Sequence, residues 1–571
     1  PLEVTLEALA PTTERDFAVL PPDKQALYRA IQATHLHASP DGPWFFIIAR
    51  SQPDQGEWQL LGITDTSMLR PQVFALYENE DQDGDVQLGL VASERQAINA
   101  TLRSLASEDN RFLPQADRYW VARGGSHTDG GAFTFTARAN KLEVTDKFGR
   151  AVTVPAGQRH MNRARVGFNR ASDPFRRTLQ ARLFHIFDDG GLPTLLRWTS
   201  ERLLGWTYDE VKDLTRSLAD FGQHGEEEWT FAHQALTMLR DRHYDPGEKR
   251  RASLLAVWDA GLADLFDRVP SIHEPNGLRT AGLPMRRVTW EHRRSLRAPE
   301  NGQGILVVDC LGFPPEGDDS AARLLVAAYE LGWRHLIAYN WRGGRFAACG
   351  LGAMTADVRV ELYGDVGDYA ASGLDGAEVH IHGDAQDQVG QILKDGKLVI
   401  HGDVGQTFLY GAKGGTVYVL GSAAGRPLIN AVGRPRAVIN GTCLDYLAES
   451  FMAGDPLDGG GFVILNGIAF DEHGRLIELE TPYPGGNLFS LASGGAIYLR
   501  DPHRKVDKDQ LNGGQFAPLS EDDWALVRPY LEENERQFGI SISALLTVDG
   551  AERPLADVYR KVEVRPLTAL A

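Results

Sequence analysis

The stretch from His382 to Gln406, HGDAQDQVGQILKDGKLVIHGDVGQ, carries one phrase twice. Short apolar runs ending in glycine recur on both sides of it: VELYG, VHIHG, LVIHG, VYVLG, AVING and VILNG. Their glycines are Gly364, Gly383, Gly402, Gly421, Gly441 and Gly467, at intervals of 19, 19, 19, 20 and 26 residues. The insert DPLDGGG, Asp455 to Gly461, lengthens the last interval. A phosphate-binding glycine loop occurs once and opens a helix, so this period speaks against one. Two and four residues before each glycine the side chains are apolar, as with Val379 and Ile381 before Gly383 or Leu398 and Ile400 before Gly402. Alternation of period two makes a strand with one buried face. Such short strands cannot bury that face alone, but rungs stacked as a coil share one apolar column. The glycines then serve corners that need a positive φ or a close backbone approach. The pattern predicts a right-handed β-helix, a solenoid of at least six rungs.

The remaining composition bounds what surrounds the coil. A chain of 571 residues has room for about three or four domains. Its net charge of −18 argues against nucleic acid or an anionic membrane as partner. No run of 18 apolar residues occurs, so no membrane span is expected. PLEVTLEALAPTTERD lacks the basic and apolar segments of a signal peptide. The three cysteines, Cys310, Cys349 and Cys443, form no CxxC. They supply neither a four-cysteine iron–sulfur site nor a disulfide framework, and a cytoplasmic location is expected.

The segments GDVGDYAASGLDG, GDAQDQVGQILKDG and GDVGQTFLYGAKGG, followed by GRPLINAVGRP and VINGTCLDYL, carry a resemblance. In that order they resemble the GXGXG β-helix domain at the C-terminal end of the glutamate synthase large subunit. The same module resembles the β-helical subunit of formylmethanofuran dehydrogenase. Near the N-terminus, Asp41-Gly42-Pro43, Leu69-Arg70-Pro71 and Ala92-Ser93-Glu94 resemble the second half of a class II glutamine amidotransferase, an Ntn-type fold. The turn departs from that family at Asp65-Thr66-Ser67-Met68. The amidotransferase nucleophile is a cysteine at residue 1, where this chain has Pro1, so the resemblance implies no glutaminase site here.

The expected architecture is therefore multidomain α+β. A partial amidotransferase-like α/β module spans 1–155 and a helical connector 156–300. A βαβ unit follows at 301–350, the β-helix at 351–500 and a helical tail at 501–571. The connector is too short for the FMN-binding barrel of glutamate synthase, which needs about 250 residues. Thr207 and Glu210 form a capping-box pattern, with Gly222 ending that helix. Ser320 and Ser520 are further N-cap candidates, the second with Asp523 at the third helical position.

Three features could carry chemistry. His380, His382 and His401 share the outward strand face, where a histidine ladder could ligate zinc or copper; alternatively, an exposed face simply tolerates them. Asp365, Asp384 and Asp403 each follow a repeat glycine, and either hold a cation or bond their own turn backbone. Arg426, Arg434 and Arg436 form the one basic cluster, an interface or anion group or a solvated turn. No catalytic or cofactor-binding residue is assigned.

The resemblance implies a non-catalytic scaffold subunit of a glutamate-synthase-like oxidoreductase complex. Partner chains would bring the amidotransferase first half, FMN and iron–sulfur clusters; a homo-oligomer is also open. One alternative is a part of an active glutamate synthase or glutamine amidotransferase that delivers glutamine-derived ammonia to 2-oxoglutarate. Another is a metal- or small-molecule-binding solenoid.

Overall fold

The computed structural model describes residues 173–274, 284–300 and 302–565, and the backbone of seven strands between residues 3 and 146. Those strands form two antiparallel sheets. The first has β1 (Glu3–Leu9), β2 (Trp44–Arg50) and β3 (Gln59–Asp65) in sequence order. The second has β4 (Val73–Glu80), β5 (Val86–Val91), β6 (Phe133–Arg138) and β7 (Lys141–Asp146) in the order β5-β4-β6-β7. From sequence, strands are expected in DGPWFFIIARS (Asp41 to Ser51), GEWQLLGITDT (Gly56 to Thr66) and VQLGLVASE (Val86 to Glu94), and β2, β3 and β5 fall in them. The Asp41-Gly42-Pro43, Leu69-Arg70-Pro71 and Ala92-Ser93-Glu94 motifs lie outside the described residues, as does PPDKQALYRAIQA (Pro21 to Ala33), which resembles the helix before the DGP strand in glutamate synthase.

Nine α-helices occur among the described residues. Five form a bundle: α1 (Asp173–Asp189), α2 (Gly191–Leu203), α3 (Tyr208–Phe221), α4 (Glu226–Asp241) and α5 (Arg251–Asp267). The capping box at Thr207 and Glu210 is present, and α3 ends at Gly222. Helix α6 (Ala321–Glu330), capped by Ser320, links two parallel strands, β9 (Ile305–Asp309) and β10 (His335–Arg342). The edge strand β8 (Met285–Val288) pairs with β9.

Each repeat adds one parallel strand to the same sheet: β11 (Arg359–Asp365), β12 (Asp375–His382), β13 (Asp395–Ile400), β14 (Thr416–Val419), β15 (Arg436–Ile439) and β16 (Phe462–Leu465). A small hairpin, β17 (Ile468–Phe470) and β18 (Leu476–Glu478), precedes one more rung, β19 (Ala496–Arg500). The C-terminal segment supplies β20 (Gly514–Ala517), a second small hairpin of β21 (Thr547–Val548) and β22 (Ala551–Glu552), and β23 (Tyr559–Val564). It also carries α7 (Glu521–Phe538), α8 (Ile542–Leu546) and α9 (Leu555–Val558). The expected helical tail is thus only partly helical. β23 pairs antiparallel with β19 and with β20, so it closes an edge that would otherwise present unpaired backbone groups. The large sheet has 12 strands and is mostly parallel.

The apolar phase read from the repeat is the observed one. Val360, Val379, Leu398, Val417, Ala437 and Val463 stand opposite one another in register, and each is at most 1 % exposed. A second column of parallel bridges runs Val366, Ala385, Val404, Ala423, Cys443, on the turns that follow the strands. A third contact line lies at Tyr369, Gln388, Thr407 and Arg426. All four have φ between +53° and +63°, and each donates its N–H to a carbonyl of the next rung. Those bonds offset the cost of left-handed backbone in residues with a side chain.

The repeat glycines have a specific reason. Gly364 (φ +122°) and Gly467 (φ +62°) need the positive φ. At Gly402 and Gly421 an added Cβ would instead overlap the Oδ1 atoms of Asp384 and Asp403 in the preceding rung. Those carboxylates reach from one repeat to the next. Asp365 Oδ1 accepts the N–H of Asp384 at 3.0 Å, Asp384 that of Asp403 at 2.8 Å, and Asp403 that of Ser422 at 2.7 Å.

The outer face of this sheet is covered, not solvated. The bundle lies over Val307, Ile337, Tyr339 and Tyr363, while α7 and its successors lie over Val399, Tyr418, Val438 and Ile464. Arg242, just past α4, donates from Nη2 to the carbonyl of Arg536 at 2.6 Å, satisfying the end of α7. Buried Asn440 and Asn534 exchange bonds of 2.8 and 3.0 Å, locking α7 onto β15 and the turn after it.

Candidate functional site

At the seam between the two helical covers, the outward positions of β11 to β13 turn polar. In register, Glu361 faces His380 and Tyr363 faces His382. His401 follows in the next rung. The histidine face was expected to be exposed, and the structure corrects this: the side chains of His380, His382 and His401 are 6 %, 3 % and 6 % exposed. They point away from the apolar column of the sheet, as the alternation requires, but the helices close over them.

Asp241, the last residue of α4, reaches into the seam. Its Oδ2 lies 2.7 Å from Nδ1 of His382 and 3.5 Å from Nδ1 of His401. Arg240 donates from Nη1 to Oδ1 of Asp241 at 2.9 Å and from Nε to Asp259 at 2.6 Å. Glu361 is the second buried carboxylate. It accepts from Arg359 Nε at 2.9 Å and Tyr363 Oη at 3.1 Å, and lies 2.8 Å from Nε2 of His335. His233 of α4 stands 2.7 Å from Tyr363 Oη. His380 is engaged elsewhere, with Nε2 at 2.7 Å from Glu378. The rings of Tyr363, His382 and His401 stack in series, with centroids 4.3 and 4.9 Å apart.

Burial and charge set the protonation states. Burial pushes the Asp241 carboxyl up, but His401, His382 and Arg240 outweigh it and hold the group well below the carboxylate range. Glu361 is held down likewise, by His233, His335, His382 and Arg359 against its burial. His382 is desolvated, yet Asp241 and Glu361 raise its pKa above the ordinary value. Desolvation dominates at His401 and His233, which fall to about 3 and about 4. The seam therefore holds two anionic carboxylates, one imidazole that favours its proton and two that refuse one. Asp241, His382 and His401 bring their ligand-type atoms within 4.8 Å of one another.

The three arginines engage different groups. Arg426 lies over Tyr446 at 4.6 Å and 3.6 Å from Glu449. Arg434 is exposed. Arg436 sits in a 490 Å³ groove beneath α7, bonded to Tyr530, with Lys397 and Arg536 on the same wall. Sequence reasoning missed Asp241, Glu361, His233 and Tyr363. Glu361 left a faint signal, as an acid in an outward strand position; Asp241 left none.

Residues 343–549 match the GXGXG motif family, which is found in glutamate synthase large subunits. The comparison with curated proteins finds no match to the chain. No helix among the described residues is long and apolar enough to cross a membrane.

Proposed function

We propose that this chain is a structural subunit of a glutamate-synthase-like oxidoreductase complex, with its repeat forming a right-handed β-solenoid that spaces catalytic partners. The match of residues 343–549 to a module of glutamate synthase large subunits carries this reading. Two physical facts support it. The seam histidines are sealed under helices, where a substrate does not reach them. No cysteine is poised as a nucleophile: burial raises the Cys310 and Cys443 thiols far above the ordinary value and pushes Cys349 up to about 11. Flavin and iron–sulfur chemistry, and the amidotransferase nucleophile, then belong to partner chains. Affinity isolation of the tagged chain from its own cells tests this. Co-isolation of flavin- or iron–sulfur-bearing polypeptides, with no glutaminase activity in the chain itself, is the expected result. A lone monomer that hydrolyses glutamine would refute it.

A further inference from the structure

We propose that Asp241, His382 and His401 form a binding site for one divalent zinc-class ion, which staples the end of α4 to two successive rungs. Three observations carry the site. First, the donor set is a carboxylate and two imidazoles, a combination zinc accepts with a water completing the shell. Second, Nδ1 of His401 has no hydrogen-bond partner although its side chain is 6 % exposed, and it faces Asp241 Oδ2 at 3.5 Å. That separation is too long for a hydrogen bond, but two ligands of a tetrahedral ion at zinc distances stand about 3.4 Å apart. Third, Nε2 of His382 is also unpartnered and faces Glu361 Oε2 at 3.6 Å. A ligating histidine with a carboxylate behind its far nitrogen is the usual outer arrangement of a metal site.

The ion takes Nδ1 of His382, which now lies 2.7 Å from Asp241 Oδ2. This contact opens by about 0.7 Å to reach the tetrahedral edge, and the stacked rings of His382 and His401, 4.9 Å apart, turn so that both Nδ1 lone pairs meet at the ion. Nε2 of His382 stays directed toward Glu361. His380, although it belongs to the same ladder, is not a ligand, because Glu378 holds its Nε2.

The test uses the full-length chain, stripped with EDTA and titrated with Zn²⁺ against a chromophoric chelator. The expected result is one Zn²⁺ per chain. His401→Gln and Asp241→Asn abolish stoichiometric binding, Glu361→Gln weakens it about 10–100-fold, and His380→Gln leaves it unchanged. Failure of the wild-type chain to bind one Zn²⁺ overturns the proposal. So does unchanged affinity in His401→Gln, or loss of binding in His380→Gln alone. Should the ligand variants not fold, Co²⁺ added to the wild-type chain decides. Intense visible bands of a four-coordinate, nitrogen-ligated ion support the site, and the weak spectrum of aqueous Co²⁺ overturns it.

Discussion

Asp241 and His382 are 141 positions apart in the chain, yet their carboxylate oxygen and ring nitrogen meet at 2.7 Å inside the protein. One stands at the end of a helix and the other at the end of a coil strand, so this contact ties the bundle to the repeat. A buried pair of this kind resists the loss of one partner more than its net worth suggests, because the survivor is left charged and dry. In EDTA-treated protein, Asp241→Asn should cost about 3–5 kcal/mol. Asp209→Asn, which disturbs only the surface pair with Lys212, should cost less than about 1 kcal/mol. Urea melts of both variants give the comparison, and equal losses would reduce the 2.7 Å contact to mere proximity.

The histidines also set the pH dependence. His401 and His233 have folded values of about 3 and about 4, and burial with Arg251 nearby lowers His243 to about 3. Unfolded, each would titrate near about 6.5. Between those limits the unfolded chain binds more protons, so stability is lost as pH falls from about 6.5 toward 4. His382 works in the opposite direction. Its raised folded value gives stability that is present below about 6.5 and is lost as pH rises through it. In EDTA-treated protein, denaturation midpoints should therefore peak above about pH 6.5 and below the folded value of His382. His401→Gln should shallow the acid limb and leave the alkaline one. A midpoint that rises steadily down to about pH 4 would contradict these assignments.

What the sequence revealed and what it concealed divide along one physical line. The interior of the coil was legible because its rule is local: position 400 follows position 398 by one pleat, and Ile400 and Leu398 are both fully buried. The capping boxes at Thr207 and Ser520 were legible for the same reason, since each needs only four consecutive residues. Outward positions follow no such rule. Whether His401 meets water depends on Phe538, whose ring packs edge-on against it at 5.2 Å from another part of the chain. Nothing near either residue in the sequence announces that. The aspartates after the repeat glycines hid a partner in the same way: each Oδ1 accepts an N–H from 19 residues away.

That covering changes what substitutions at the strand end should do. From alternation alone, Ile400→Asp is damaging and His401→Asp is a mild surface change. With His401 sealed against Asp241, a carboxylate at 401 would face a second buried carboxylate at close range. Both variants should lose several kcal/mol, through different causes: an unpaired charge in the apolar column for one, like-charge repulsion for the other. Lys413→Asp, at an exposed turn position, should stay within about 0.5 kcal/mol. Thermal melts rank the three. A mild His401→Asp would mean that the helical cover is loose over the third rung.

The glycine and the aspartate of each repeat should behave as one unit. Asp384 Oδ1 accepts the N–H of Asp403, and in doing so occupies the space a Cβ on Gly402 would need. Gly402→Ala must displace that carboxylate and press on the carbonyl of Gly383, so a loss of about 1–3 kcal/mol is expected. Asp384→Ala removes the bond from the Asp403 N–H at an exposed turn and should cost about 1 kcal/mol. Once the carboxylate is gone, the alanine has part of its room, and only the Gly383 carbonyl still opposes it. The double variant should therefore be less damaged than the sum of the singles, with a coupling of about 0.5–3 kcal/mol. The repeat supplies an internal replicate, because Gly421 stands against Asp403 in the same way. Strict additivity at both rungs would show that the carboxylate is not what demands glycine, and would leave the neighbouring carbonyl as the sole cause.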